Sequence, residues 1–98
     1  MSDSVPQNSS SISNVSSTLK VLFFAAARQR TQKSHINHPF STPLTLGQLQ
    51  YSLFETYPDL GDLGPYLRWA INHEFVDDDT RELKANDEVA LIPPISGG

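Results

Sequence analysis

Between Pro43 and Leu60 the sequence reads "PLTLGQLQYSLFETYPDL", with Leu46, Leu49, Leu53, Phe54 and Tyr57 at i, i+3, i+7, i+8 and i+11. That spacing puts every large apolar side chain on one face of a helix. Thr45, with Gln48 three residues on, makes a capping box at its start, and Pro58 ends it. A single one-faced helix has to bury its stripe against something else, and the flanking sequence on both sides is β-forming. "LKVLFFAAA" (Leu19 to Ala27) and "HINHPF" (His35 to Phe40) read as two strands of a loose hairpin, joined by a polar connection that holds Arg28, Arg30 and Lys33.

After the helix, "DLGDLGPY" is turn-rich, with room for one short helical turn. "YLRWAIN" (Tyr66 to Asn72) then alternates, with Leu67, Trp69 and Ile71 on one face and Arg68, Ala70 and Asn72 on the other. "HEFV" reads as a short strand or turn, and "DDDTREL" as a polar loop. "ANDE" is a turn in which Asn86 can take a left-handed conformation, and "EVALIP" is the last strand, closed by Pro93 and Pro94. The class is α+β: a mixed sheet of four to five strands packed on one main helix. A right-handed crossover through that helix would set the first and last strands parallel and adjacent at the sheet's centre, a topology that rests largely on the resemblance given below.

The 98 residues suffice for one domain. Residues 1–17 hold eight serines and one charge, Asp3, too little apolar surface to offset ordering entropy, and are expected to be a disordered extension. This extension has the Arg and Lys of neither a transit peptide nor a secretory signal, so a cytosolic location is expected. Nothing singles out any of its serines for phosphorylation. The folded unit is expected over 18–92, and a flexible tail over 93–98.

Seven Lys plus Arg stand against eleven Asp plus Glu, for a net charge of −4. The basic residues are scattered, which argues against a nucleic-acid binder. With no cysteine, thiolate metal sites and a cysteine nucleophile are excluded, and any sulfur chemistry must use sulfur from outside the side chains. "VLFFAAA" is too short to span a bilayer. No metal site is expected: His35 and His38 fall on opposite faces of a strand, and Asp77 to Asp79 lack the alternation and glycine of a calcium loop. Ser96 has no histidine near it in sequence to serve as its base.

Two strands carry apolar residues on both faces. Read as a strand through Ala27, the first sets Leu19, Val21, Phe23 and Ala25 against Lys20, Leu22, Phe24 and Ala26; the last sets Val89 and Leu91 against Glu88, Ala90 and Ile92. Lys20 and Glu88 mark the second face as the one that reaches water. Leu22, Phe24 and Ile92 would then lie adjacent and exposed, each offering about 1.5–3 kcal/mol on burial, which nominates a partner-docking surface. The competing reading is that loops or the N-terminal extension cover this face.

The chain finishes "LIPPISGG". Pro93 and Pro94 favour an extended start, Ile95 and Ser96 lead on, and Gly97 and Gly98 have no Cβ to obstruct a narrow channel. Fully extended, residues 93–98 reach on the order of 20 Å. The α-carboxylate of Gly98 is thus the least hindered acyl group in the chain. Adenylated by ATP, it becomes a mixed anhydride, from which either a sulfur donor or a lysine amine can displace AMP.

"KVLFFAAAR" (Lys20 to Arg28), "AIN" (Ala70 to Asn72) and above all "NDEVALIPPISGG" (Asn86 to Gly98) resemble the small, sulfur-carrier subunits of molybdopterin synthase. The resemblance covers residues 19–98. It implies a ubiquitin-like β-grasp fold, and a Gly98 that is adenylated and then thiocarboxylated by a ubiquitin-activating-type enzyme that uses ATP. It implies insertion of the loaded tail into a large catalytic subunit, in a heterotetramer of two large and two small subunits, with sulfur passing to cyclic pyranopterin monophosphate. The chain would then be a sulfur-donating subunit with no catalytic site and no permanently bound cofactor. The other sulfur carriers, for thiamine or tRNA thiolation, and the ubiquitin-related modifiers share Gly-Gly and stand as alternatives, as does an interaction domain with an unused tail. Gln29 stands where the resemblance commonly has an acidic residue, and Asn86 where it has Gly.

Overall fold

The computed structural model describes residues 17–94. Of the extension expected to be disordered over 1–17, residues 1–16 lie outside the described residues, as do Ile95, Ser96, Gly97 and Gly98, while Ser17 opens the first strand instead. The elements are β1 (Ser17–Phe23), α1 (Ala25–Thr31), β2 (His35–Phe40), β3 (Leu44–Thr45), α2 (Leu46–Thr56), a 3-10 helix (Pro58–Tyr66), β4 (Arg68–Ile71), β5 (Glu74–Phe75), β6 (Glu82–Leu83) and β7 (Glu88–Ile92). Five strands form one mixed sheet in the order β2-β1-β7-β4-β5, while β3 and β6 make a separate two-stranded ladder. β1 and β7 are parallel and central, in the register Lys20↔Glu88 to Phe23↔Leu91, as the crossover argument requires.

The helix expected from sequence is α2. Thr45 Oγ1 accepts from Gln48 N–H at 3.2 Å, and the Gln48 side-chain oxygen accepts from Thr45 N–H at 2.9 Å, completing the capping box. Leu46, Leu49 and Leu53 are buried against Leu19, Val21 and Phe23 of β1, Val89 and Leu91 of β7, and Trp69 and Ile71 of β4. Edge-to-face ring contacts, Phe54 with Trp69 and Phe23 with Tyr57, close the ends of this layer.

Three local expectations are corrected. β1 stops at Phe23 rather than running to Ala27: Ala25 takes a left-handed φ of 49° and the next residues coil into α1, so the polar connection is a helix, not a loose loop. Ala is the best helix former and has no β-branch, so "AAARQRT" favours this outcome once the strand is broken. The single short helical turn after Pro58 is a 3-10 helix of nine residues. Part of the expected polar loop, Glu82–Leu83, pairs with Leu44–Thr45, which buries Leu83.

Arg30 ties α1 to the 3-10 helix. Its guanidinium donates to the Asp59 carbonyl at 3.0 Å and forms an ion pair with Asp62. That hydrogen-bonded cation holds the Asp62 carboxyl below the usual carboxylate range. A depressed carboxylate contributes stability that is present above its unfolded pKa and is lost as pH falls through the folded one. Acid titration of unfolding should therefore show a stability loss in the range below the normal aspartate pKa that is smaller in Asp62→Asn. Removing the cap in Thr45→Ala should cost about 1 kcal/mol by denaturant unfolding; a cost near zero would mean that the capping box does not form in solution.

Candidate functional site

The end of β7 is held from both sides. β1 pairs with it as far as Phe23↔Leu91, and Phe24 N–H continues the ladder by donating to the Leu91 carbonyl at 3.3 Å. On the other edge β4 pairs with it as far as Arg68↔Ile92. Pro93 follows with no N–H to extend either ladder. It is buried, and Pro94 is the first exposed residue, so the anchor of the tail reaches past Leu91 to Pro93. Around this root lies an open apolar groove of about 610 Å³, lined by Phe24, Ala25 and Ala26 from the start of α1, Leu63 from the 3-10 helix, and Ile92 to Pro94.

The start of β7 is held by a polar clasp, of which sequence reading had only the Asn86 turn. Asn72 and His73 both have positive φ, 51° and 76°, and form the two-residue turn that joins β4 to β5. From this turn the Asn72 side chain accepts from Glu88 N–H at 2.9 Å and donates to the Asp87 carboxylate at 3.0 Å. Asp87 also accepts from Lys84 N–H at 2.8 Å. Asn86 takes φ 69°, the left-handed angle expected, and its N–H donates to the Thr18 carbonyl at 2.8 Å. "AIN" and "NDE" are thus two halves of one device that fixes where β7 begins, and through it where the tail leaves. The signal was the recurrence of Asn and Asp beside strand ends.

The sheet face opposite α2 has small residues in its middle. One row crosses all five strands through the pairs His35↔Leu22, Leu22↔Ala90, Ala90↔Ala70 and Ala70↔Phe75. Ala70 and Ala90 are buried on its floor, and Leu22 and Ile92 are half-buried. Phe24 and Phe75 stand on the rim at 46% and 56% exposure, and the cup between them holds about 200 Å³. Leu22, Phe24 and Ile92 therefore do come together on this face. Phe24 arrives there as the residue capping α1 in extended conformation (φ −114°, ψ 152°), one residue beyond the strand that was to carry it.

A family model described as the ThiS family matches residues 21–98, four-fifths of the sequence, including the Gly-Gly terminus. The chain belongs to the ThiS family. It is 33% identical over 82 residues to a molybdopterin synthase sulfur carrier subunit of Caenorhabditis briggsae, which covers 83% of this chain and 98% of that one. Among solved structures, a Haloferax volcanii protein named SAMP1 superposes with a TM-score of 0.72 at 25% identity, over 83% of this chain and 99% of the other. A complex of subunits 1 and 2 of the molybdopterin-converting factor from Helicobacter pylori superposes at 0.63 and 21% identity, over 83% and 99%, a likeness of fold. The family's fold is the β-grasp that the sheet order displays.

Asp78 and His38 stay apart from this face and root. Asp78 closes its own loop, accepting from Thr80 N–H at 2.9 Å and Oγ1 at 2.6 Å, and these bonds hold its carboxyl low. His38 is half-buried on β2, where burial pushes its pKa down. Among the described residues no group of three or more His, Asp or Glu is placed to hold a metal ion, and no helix is long and apolar enough to cross a membrane. If the open face is a surface and not core, Phe24→Asp should leave the unfolding free energy within about 0.5 kcal/mol of wild type, since Asp is also a better helix cap than Phe. A loss above about 2 kcal/mol would mark Phe24 as a core residue.

Proposed function

We propose that the chain is the sulfur carrier of a molybdopterin synthase, with the α-carboxylate of Gly98 as its working group. A ubiquitin-activating-type enzyme would condense that carboxylate with ATP, releasing pyrophosphate and leaving an acyl adenylate. A sulfur donor then displaces AMP to give a thiocarboxylate. The large catalytic subunit supplies the pocket and the acid and base groups, and takes sulfur from the loaded tail to cyclic pyranopterin monophosphate, an oxygen from water replacing it on Gly98 to restore the carboxylate, two donations making one dithiolene. The assembly expected is a heterotetramer of two large and two small subunits. The carrier itself is not an enzyme and holds no cofactor; ATP is consumed on the activating enzyme. The cytosol is the compartment proposed, on the composition of residues 1–17.

The observation that carries this reading is the pairing of a Gly-Gly terminus with a rigid root. The family match extends to Gly98, and relatives matched over 93–98% of their own length and 82–83% of this chain are named sulfur carrier subunits. The root is a central strand pinned on both edges, with Pro93 buried and Pro94 exposed. From there Ile95, Ser96 and Gly97 would carry Gly98 into the partner, and Gly97 and Gly98 would tolerate whatever backbone angles a narrow channel imposes. The apolar face formed by Leu22, Phe24 and Ile92 would be the docking surface for the large subunit, contiguous with the root through Phe24 and Ile92.

Deleting Gly98, or appending one alanine after it, should abolish sulfur transfer in a reconstituted synthase assay while leaving the thermal midpoint unchanged. Molybdopterin formation by the extended chain would overturn the terminal-acyl mechanism. Phe24→Asp should lose binding to the large subunit with the fold retained.

A further inference from the structure

The apolar end of the open face carries a charged group. Arg68 stands on β4 beside Ile92, its register partner on β7, and its guanidinium carbon lies 3.8 Å from the centroid of the Phe75 ring. The other charges of this face gather at the opposite end, where Lys20 lies beside Glu88 and Glu88 is paired with His73 at 2.9 Å. Arg68 is therefore a cation next to the root of the tail, set between exposed Phe75 and half-buried Ile92.

We propose that Arg68 is a specificity-determining contact that receives a carboxylate, Asp or Glu, from the large subunit when the apolar face is covered. The inference rests on the sulfur-carrier reading, and adds to it the chemistry of the partner's matching residue. A partner that covers Ile92 and Phe75 also strips water from the guanidinium. The ring beneath it offsets part of the cation's lost hydration but accepts none of its N–H groups in the plane. A cation dehydrated without acceptors carries a heavy penalty, so a productive partner must bring them.

A carboxylate fits best, because its two oxygens match the fork of the guanidinium and its charge neutralises the cation. Contact with the Phe75 ring restrains the guanidinium before the partner arrives, which reduces the ordering lost on binding. The net charge of −4 means that the carrier as a whole does not attract acidic surfaces. An acidic contact is met locally, at Arg68, and a partner with an apolar or basic residue there is rejected.

The test titrates the full-length carrier against the purified large subunit of the same organism, at low and high salt, with wild type, Arg68→Gln, Arg68→Lys and Phe75→Leu. Arg68→Gln should weaken the complex about tenfold or more and flatten its salt dependence. Arg68→Lys should keep the salt dependence but recover only part of the affinity, and Phe75→Leu should fall between. Thermal midpoints should match, since Arg68 is exposed. Wild-type affinity in Arg68→Gln, or a loss with the salt dependence unchanged, would overturn the proposal and leave the carrier reading standing. Absence of any complex with the wild-type chain would overturn both.

Discussion

The parallel pairing of β1 with β7 is the constraint on which the rest of the molecule depends. Strands far apart in sequence meet at the centre of the sheet, Val21 directly beside Val89, both fully buried beneath α2. Such a pair needs a crossover long enough to span the sheet, and everything between β2 and β4 supplies it. Because β1 also pairs with β2 and β7 with β4, neither central strand has a free edge. The last strand is thereby held along both edges, and the chain leaves the sheet at Pro93 from a fixed point.

That arrangement separates two properties a carrier must combine. The terminal acyl group has to be slender and adaptable to enter two different enzymes, yet it must be presented reproducibly. The buried part of the chain end reaches Pro93, Pro94 is exposed, and in sequence the glycines come only after Ile95 and Ser96. The polar clasp of Asn72, Asn86 and Asp87 holds one end of β7, and the Phe24 N–H to Leu91 carbonyl bond holds the other. On the proposed reading, the fold's task is to position the Gly98 carboxylate, and the acid, base and nucleophile would come from other proteins.

Much of this could be read from the residues because they signal locally. Thr45 and Gln48 cap α2 as their spacing requires, Asn86 takes the left-handed angle its position demands, and the alternation of Leu67, Trp69 and Ile71 reappears as a buried row. What escaped was decided by tertiary structure. "FFAAAR" continues an apolar run with no turn residue in it, so periodicity alone could not end β1 at Phe23; the break comes at Ala25, whose positive φ no alanine announces. The β3–β6 ladder has two residues on each side, too few to leave a pattern. Pro93 reads as the start of a tail, and only the packing around it shows it to be the last part of the anchor. The apolar face was legible as composition, but its shape was not: the alanine floor, the rim of Phe24 and Phe75 and the placing of Arg68 over the Phe75 ring depend on pairing across strands.

The central claim is that Gly98 leaves its cells' sulfur machinery carrying sulfur on its acyl carbon. Intact-mass analysis of the C-terminal peptide, from protein purified out of native cells without reducing or alkylating steps, tests it most directly. The account predicts a fraction of peptide heavier by the exchange of one oxygen for one sulfur at Gly98, increasing when the large subunit is removed. An unmodified terminus under those conditions, or Gly98 found in amide linkage to lysines of other proteins with no thiocarboxylate, would contradict it.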